Sequence, residues 1–345
     1  PLSSVRAQSV PASTAVPQGG QVSAGTATLQ QTGTPTNPLL LVTQSSDRAV
    51  INWQSFNLGR DAQIQFQQPN AGSVTLNRVI SSDPSQIFGR ISSNGQIYLI
   101  NPNGVLFSPS ARVDVGGLVA TTHALSDHDF MAGRTTFTSN NATGKVINEG
   151  KLQAHLGGYI ALLAPEVRNA GVILAKSGTI ALASGEAVTL TLDAQNSLTN
   201  LLVKPSTWQA LVDNQKLIKA TDGQVLLSAQ AYNEITAGVI KNSGEISAKG
   251  ISKKGGAIVL NASTEIKQSG TLTASSKKGN GGSITLDAKT VTQSGMINAD
   301  STALTGKGGR IMLTGDLLAL KAGSTITANG PQGGGTVLIG GDWQG

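Results

Sequence analysis

Cysteine is absent from this 345-residue chain. No disulfide can staple it, and no thiolate can serve as a nucleophile or metal ligand. Charged residues make up 13% and aromatics 3%, the former about half the usual share. The core must therefore be assembled from many Val, Ile, Leu and Ala residues. No stretch of 18 consecutive apolar residues occurs, so no transmembrane helix is expected. Histidine is limited to His123, His128 and His155. Asp127-His128-Asp129 lacks a zinc-ligand spacing and reads as a surface turn. There are 19 acidic residues, and none recur at a repeat spacing. A carbohydrate-cleaving site needs clustered carboxylates on one face, so this class becomes a remote alternative. A phosphate-cradling G-x-x-x-x-G-K-[ST] motif and the calcium-binding nonapeptide repeat are also missing. The reading is of a non-enzymatic chain with no catalytic residues, metal or cofactor.

What the chain does have is glycine, 42 residues of it, and a formal charge of +6. The basic residues crowd the last third, from Lys241 to Lys321. Few aromatics lie among them, so nucleic acid is not an expected partner and the lysines read as a solvated face. The glycines belong to a repeat. Gly-Gly followed by alternating aliphatic residues opens GGAIVLNA at Gly255, GGSITLDA at Gly281, GGRIMLTG at Gly308 and GGTVLIGG at Gly334, at intervals of 26, 27 and 26 residues. GGYIALLA at Gly157 and DGQVLLSA at Asp222 are earlier relatives. A second phrase interleaves with the first: VINEGKLQA at Val146, VRNAGVILA at Val167, VIKNSGEISA at Val239, IKQSGTLTA at Ile266 and VTQSGMINA at Val291. Each phrase is a short strand with one apolar face, separated by Gly and Asn turns. One such unit cannot bury its own apolar face, whereas a stack of them can. The pattern predicts an all-β, right-handed parallel β-helix, with coils about 4.8 Å apart. The recurring Asn148, Asn169, Asn242, Gln268 and Gln293 are expected to form one amide ladder.

The beginning is less regular. Gly20–Gln31, Leu39–Trp53, Ile64–Gln68 and Ser73–Val79 read as strands, and a solenoid needs a cap at its open end. Trp53 and Phe56 are expected in the core of that cap. Residues 197–217 interrupt the repeat, with Pro205 and Ser206 preceding a short helix over Thr207–Val212. The chain opens on Pro1, which implies a removed signal segment, and it ends in mid-repeat, which implies further coils.

Residues 73–123, SVTLNRVISSDPSQIFGRISSNGQIYLINPNGVLFSPSARVDVGGLVATTH, resemble the secretion domain of two-partner-secretion exoproteins, the family of filamentous haemagglutinin and the high-molecular-weight adhesins. The resemblance rests on NRV at Asn77–Val79, PSQIFG at Pro84–Gly89, NPNG at Asn101–Gly104 and GGLVATT at Gly116–Thr122, with INWQSFNLG and FQQPN upstream. The ending GGGTVLIGGDWQG is similar to a branch that includes biofilm-matrix adhesins. The resemblance implies recognition by an outer-membrane TpsB transporter of the Omp85 type with periplasmic POTRA domains. The chain would thread that barrel and fold at the cell surface, secreted across the outer membrane. Absence of cysteine suits passage through an oxidising periplasm.

The organisation expected is a flexible leader over residues 1–18, the secretion domain over 19–250 and continuing coils over 251–345. Asn77, Arg78, Asn101, Pro102, Asn103 and Gly104 are the candidate transporter-recognition and folding residues. Asn-Pro followed by Asn-Gly suits a tight turn with a left-handed position. Its role is read as mainly structural, with direct contact to the transporter as the other reading, and the same pair of readings applies to Asn77, Arg78 and Arg90. The full-length protein is expected to be a monomeric adhesin whose ligand is a polysaccharide or host glycan. A cytolysin, a contact-dependent toxin and a haem-acquisition protein are the alternative passengers.

Overall fold

The computed structural model describes residues 10–340 except 234, 253 and 254. Within that span the chain winds as a three-faced parallel β-helix, the fold the repeats predict. The third face is an uninterrupted ladder of nine parallel strands from Ser85–Ile87 to Leu317–Leu320. The other two faces stack with the same direction and in register, from Gln63–Gln67 to Thr325–Thr327 and from Arg48–Trp53 to Thr336–Ile339.

Register explains the core. Alternate residues of a strand point to opposite faces. On the first face Ile64, Ile91, Val113, Leu152, Ile173, Ile218 and Ile246 succeed one another in a column, and all are buried. On the second face Ile258, Ile284 and Ile311 occupy equivalent positions coil after coil. A one-residue slip anywhere would turn a whole column outward, so the hydrophobic alternation fixes the stacking.

The Gly-Gly phrases sit where the chain turns from the first face to the second. A Cβ built on Gly282 would lie 2.0 Å from the Gly256 carbonyl oxygen in the coil below. The glycine is therefore required by close approach of two backbones.

The N-terminal cap is antiparallel. Gln21–Ala24 pairs with Arg48–Trp53, and Ala27–Thr34 pairs with Asn37–Gln44. The expected Gly20–Gln31 strand thus breaks in two at Gly25, whose φ is +73°. The expected Leu39–Trp53 strand breaks at the Ser45–Asp47 turn. Trp53 and Phe56 pack edge to face, 5.5 Å apart, as buried core. The leader expected through residue 18 is corrected in its second half: Val16 is buried, and Gln18 bridges Ser55 in an antiparallel contact. Residues 1–9 lie outside the described part.

Two excursions leave the coils and fold over the outer side of the second face. One carries the helix Asp127–Met131 and the strand Thr136–Thr138. The other is the hairpin Ala187–Leu192 with Leu198–Lys204, and the three strands form a small antiparallel sheet. Beneath them lies a second hydrophobic cluster built on Tyr98, Phe130, Phe137, Tyr159 and Val188. The expected excursion over 197–217 is placed differently. It begins at Ala187, and the expected Thr207–Val212 helix is absent. Ala210–Asn214 is instead a strand of the third face, paired on both sides. Six residues are too few for a helix stable by itself, whereas the coils on either side supply every backbone partner.

Candidate functional site

Asn77 lies on Val74–Val79 and is fully buried. Its Oδ1 accepts the Trp53 indole N–H at 3.0 Å, and its Nδ2 faces the carbonyls of Thr75 and Tyr98 at 3.4 Å. Asn77 therefore ties the cap tryptophan to the first full coils. Arg78 points the other way, toward the excursion. Its guanidinium meets Asp127 Oδ1 at 2.6 Å, donates to the Leu125 carbonyl at 2.7 Å and reaches Asn52 Oδ1 at 3.3 Å. Arg48 assists by donating to the Phe130 carbonyl at 3.1 Å and stacking over that ring. These two arginines clamp the short helix onto the solenoid.

The expected surface turn at Asp127-His128-Asp129 is in fact the first turn of that helix, with Ser126 as its N-cap. Both carboxylates are committed to arginine, Asp127 to Arg78 and Asp129 to Arg134 at 2.6 Å. Hydrogen bonds from Ser126 and then Arg134 hold the Asp129 carboxyl below the usual range. Among the described residues no group of three or more His, Cys, Asp or Glu is arranged to hold a metal ion.

Asn101–Gly104 connects the second face to the third. Asn101 is fully buried, while Pro102 and Asn103 are exposed. Asn101 Nδ2 donates to the Asp83 carbonyl and to Ser85 Oγ, each at 3.0 Å. Its Oδ1 accepts Asn103 N–H at 3.0 Å, and its carbonyl accepts Gly104 N–H at 3.0 Å. Asn103 Nδ2 donates to the Ser81 carbonyl at 2.9 Å. The left-handed position falls on Gly104, with φ +120°, where a Cβ would come within 3.0 Å of the Lys145 carbonyl. The motif thus fastens the 81–85 segment to the turn above it and leaves only Pro102 and Asn103 facing outward. Asn77 and Arg78 are not part of this cluster, and Arg90 lies exposed on the first face.

The amide ladder runs along the end of the third face. Asn148 donates to Asn169 at 2.8 Å, Asn169 to Asn214 at 2.7 Å, Asn214 to Asn242 at 2.6 Å and Asn242 to Gln268 at 2.7 Å. Asn214 was missing from the sequence-based ladder because the hairpin stretches its coil to 45 residues after Asn169. The ladder also stops early. Gln268 turns to its own Gly270 carbonyl at 2.9 Å, and Gln293 likewise bonds Gly295 at 2.8 Å. The extra methylene of Gln lets the amide reach its own turn.

Three buried polar side chains escaped sequence reasoning. Tyr98 and Tyr159 share a hydroxyl contact of 3.0 Å beneath the excursions, and Tyr159 donates to Gln96 Oε1 at 2.7 Å. Burial pushes both phenols above their usual value, Tyr159 strongly. His123 is buried with Nε2 2.8 Å from the Gly185 carbonyl, and desolvation lowers its imidazole pKa. The available signal was the unbroken apolar run YIALLA, against the alternation of SITLDA. A strand covered on both faces loses its polar alternation.

The family model of the TPS secretion domain matches residues 8–274. The chain belongs to the TPS secretion domain family. The match spans the antiparallel cap, both excursions and the amide ladder through Gln268. Two curated relatives, heme/hemopexin-binding proteins of Haemophilus influenzae, are 32% and 33% identical over 254 and 267 residues. The alignments cover 72% and 71% of this chain but only 27% and 28% of those proteins. This TPS domain chain therefore spans well under a third of the length of the relatives it matches. The crystal structure of the HMW1 secretion domain from Haemophilus influenzae superposes with a TM-score of 0.68 at 25% identity, covering 94% of this chain and 100% of that one. The chain is a TPS secretion domain of a TpsA-type exoprotein, and proteins of this family are secreted.

Proposed function

We propose that this domain carries its exoprotein through an outer-membrane TpsB transporter with POTRA domains and folds coil by coil at the cell surface. The observation that carries the reading is the unbroken parallel register of the third face from Ser85 to Leu320. Each completed coil offers the next a full set of backbone partners and a ready apolar column. Folding outside then opposes back-sliding without any nucleotide, because added coils contribute nearest-neighbour energy in sequence. Within this scheme Asn77, Arg78 and Asn101–Gly104 act chiefly by closing the first coils, and Pro102 and Asn103 are the motif's outward positions for transporter contact. The domain acts as a monomer with no catalysis of its own.

The test is co-expression with the cognate barrel. Loss of the exoprotein from the medium on deletion of residues 19–125 is expected, and secretion that survives the deletion refutes the proposal. For the passenger, the main reading is an adhesin with a glycan ligand, including the biofilm-matrix type. The names of the two Haemophilus relatives favour haem acquisition as the second reading. Haem or hemopexin pull-down with the complete protein separates them.

A further inference from the structure

The three-stranded sheet over the second face is one strand short of covering its floor. Outward positions of that face form a single register column: Ala161, Ala181, Leu226, Val259, Thr285 and Met312. The excursions bury the column through Ala181. Leu226 is only partly buried, packed at the margin of the second cluster, and Val259 is half-exposed. The last strand of the sheet, Leu198–Lys204, pairs on one edge with Ala187–Leu192, and its other edge pairs with no strand among the described residues. Between that edge and the floor runs a cleft of about 260 Å3, bounded by Asn200–Val203 on the strand and by Leu226 and Val259 on the coils.

The first part of the edge is closed from below. Thr179 Oγ1 donates to the Leu198 carbonyl at 2.5 Å, and Gln224 Nε2 to the Thr199 carbonyl at 2.8 Å. Past that point the edge is open, and Leu202 stands 71% exposed. Natural edge strands are ordinarily blunted by charge, proline, bulges or a covering loop. The strand's own bulge falls at Thr199, before the open stretch, and over Asn200–Lys204 only Lys204, at the far end, does that.

We infer that this cleft is a docking slot for an extended partner polypeptide, which adds as a fourth strand beside Asn200–Lys204. The slot continues the interface the hairpin already makes with the coils. Its occupant has the chemistry of the strands already seated there: alternating apolar residues, one side lying on Leu226 and Val259. Main-chain bonds supply affinity and the alternate side chains supply fit. This inference concerns the folded domain and does not depend on the export reading.

The probe is a soluble peptide carrying the chain's own Ala187–Leu192 sequence, AVTLTL, which natively pairs with the opposite edge of the same strand. Amide exchange of the whole 345-residue chain is followed with and without millimolar peptide. Protection confined to residues 200–204 is expected, and Val259→Lys should weaken it by at least about tenfold. Met312→Lys, two coils further along the same column, should leave it unchanged and serves as the folding control. Absence of protection, or protection that Val259→Lys leaves intact, overturns the proposal.

Discussion

Substituting Asn101 by Ala separates a turn that holds the fold from one that addresses the transporter. The side chain makes three hydrogen bonds at 3.0 Å, two from Nδ2 to Asp83 O and Ser85 Oγ and one to Oδ1 from Asn103 N–H, and Oδ1 also accepts a longer one from Asn103 Nδ2 at 3.2 Å. Asn101 is fully buried, so its lost bonds to Asp83 O and Ser85 Oγ are replaced poorly by water. A net contribution of about 1 kcal/mol per bond gives a loss of about 3 kcal/mol for Asn101→Ala. Pro102→Ala, at an exposed position, should change stability by less than about 0.5 kcal/mol. Urea unfolding followed by circular dichroism gives both values, with an unchanged slope confirming that the native and unfolded ensembles are comparable. Secretion through the cognate barrel is measured on the same variants. If Asn101→Ala abolishes secretion while its midpoint stays at the wild-type value, the reasoning fails and the motif acts as an address.

Three further outcomes are expected. Asn214→Ala removes a rung that accepts from Asn169 and donates to Asn242, and should cost about 2–4 kcal/mol by urea titration; Gln293→Ala, outside the ladder, should cost less. Gly282→Ala forces a Cβ against the Gly256 carbonyl oxygen, and should lower stability by about 1–3 kcal/mol, readable as a lower thermal midpoint. His123 has a folded-state pKa below its usual value because it is buried. Its neutral form is the one folding favours, so its contribution is complete above about pH 6.5 and declines as pH falls through that value, by at most about 1.4 kcal/mol per unit. Thermal midpoints at neutral and mildly acid pH should therefore converge in His123→Gln relative to the parent.

Asn148, Asn169, Asn242 and Gln268 were legible as a ladder because they recur at one place in a repeated phrase, and the recurrence survives without any knowledge of contacts. Gln293 shares the same phrase, yet its amide bonds its own turn. No one-dimensional pattern distinguishes an amide that reaches the next coil from one that folds back. At Asn101–Gly104 the sequence announced a tight turn, and Gly104 supplies its left-handed residue. That Asn101 reaches down to Asp83 and Ser85 depended on which coil lay beneath.

By itself the sequence determined the stack: period-two alternation, a near-constant interval of 26 residues late in the chain and paired glycines leave a parallel β-helix as the arrangement that buries every aliphatic column. Only the tertiary structure decided what lies outside the coils. Ala210–Asn214 became a strand because neighbours on both sides offered backbone partners. The Arg78–Asp127 clamp joins residues far apart in the chain, and the excursions settle over Tyr98 and Tyr159 because those outward positions are apolar. Repeats encode local, nearest-neighbour energies, which a linear pattern can carry. The covering of one face by distant segments is a non-local choice, and it becomes visible only when the coils are in place.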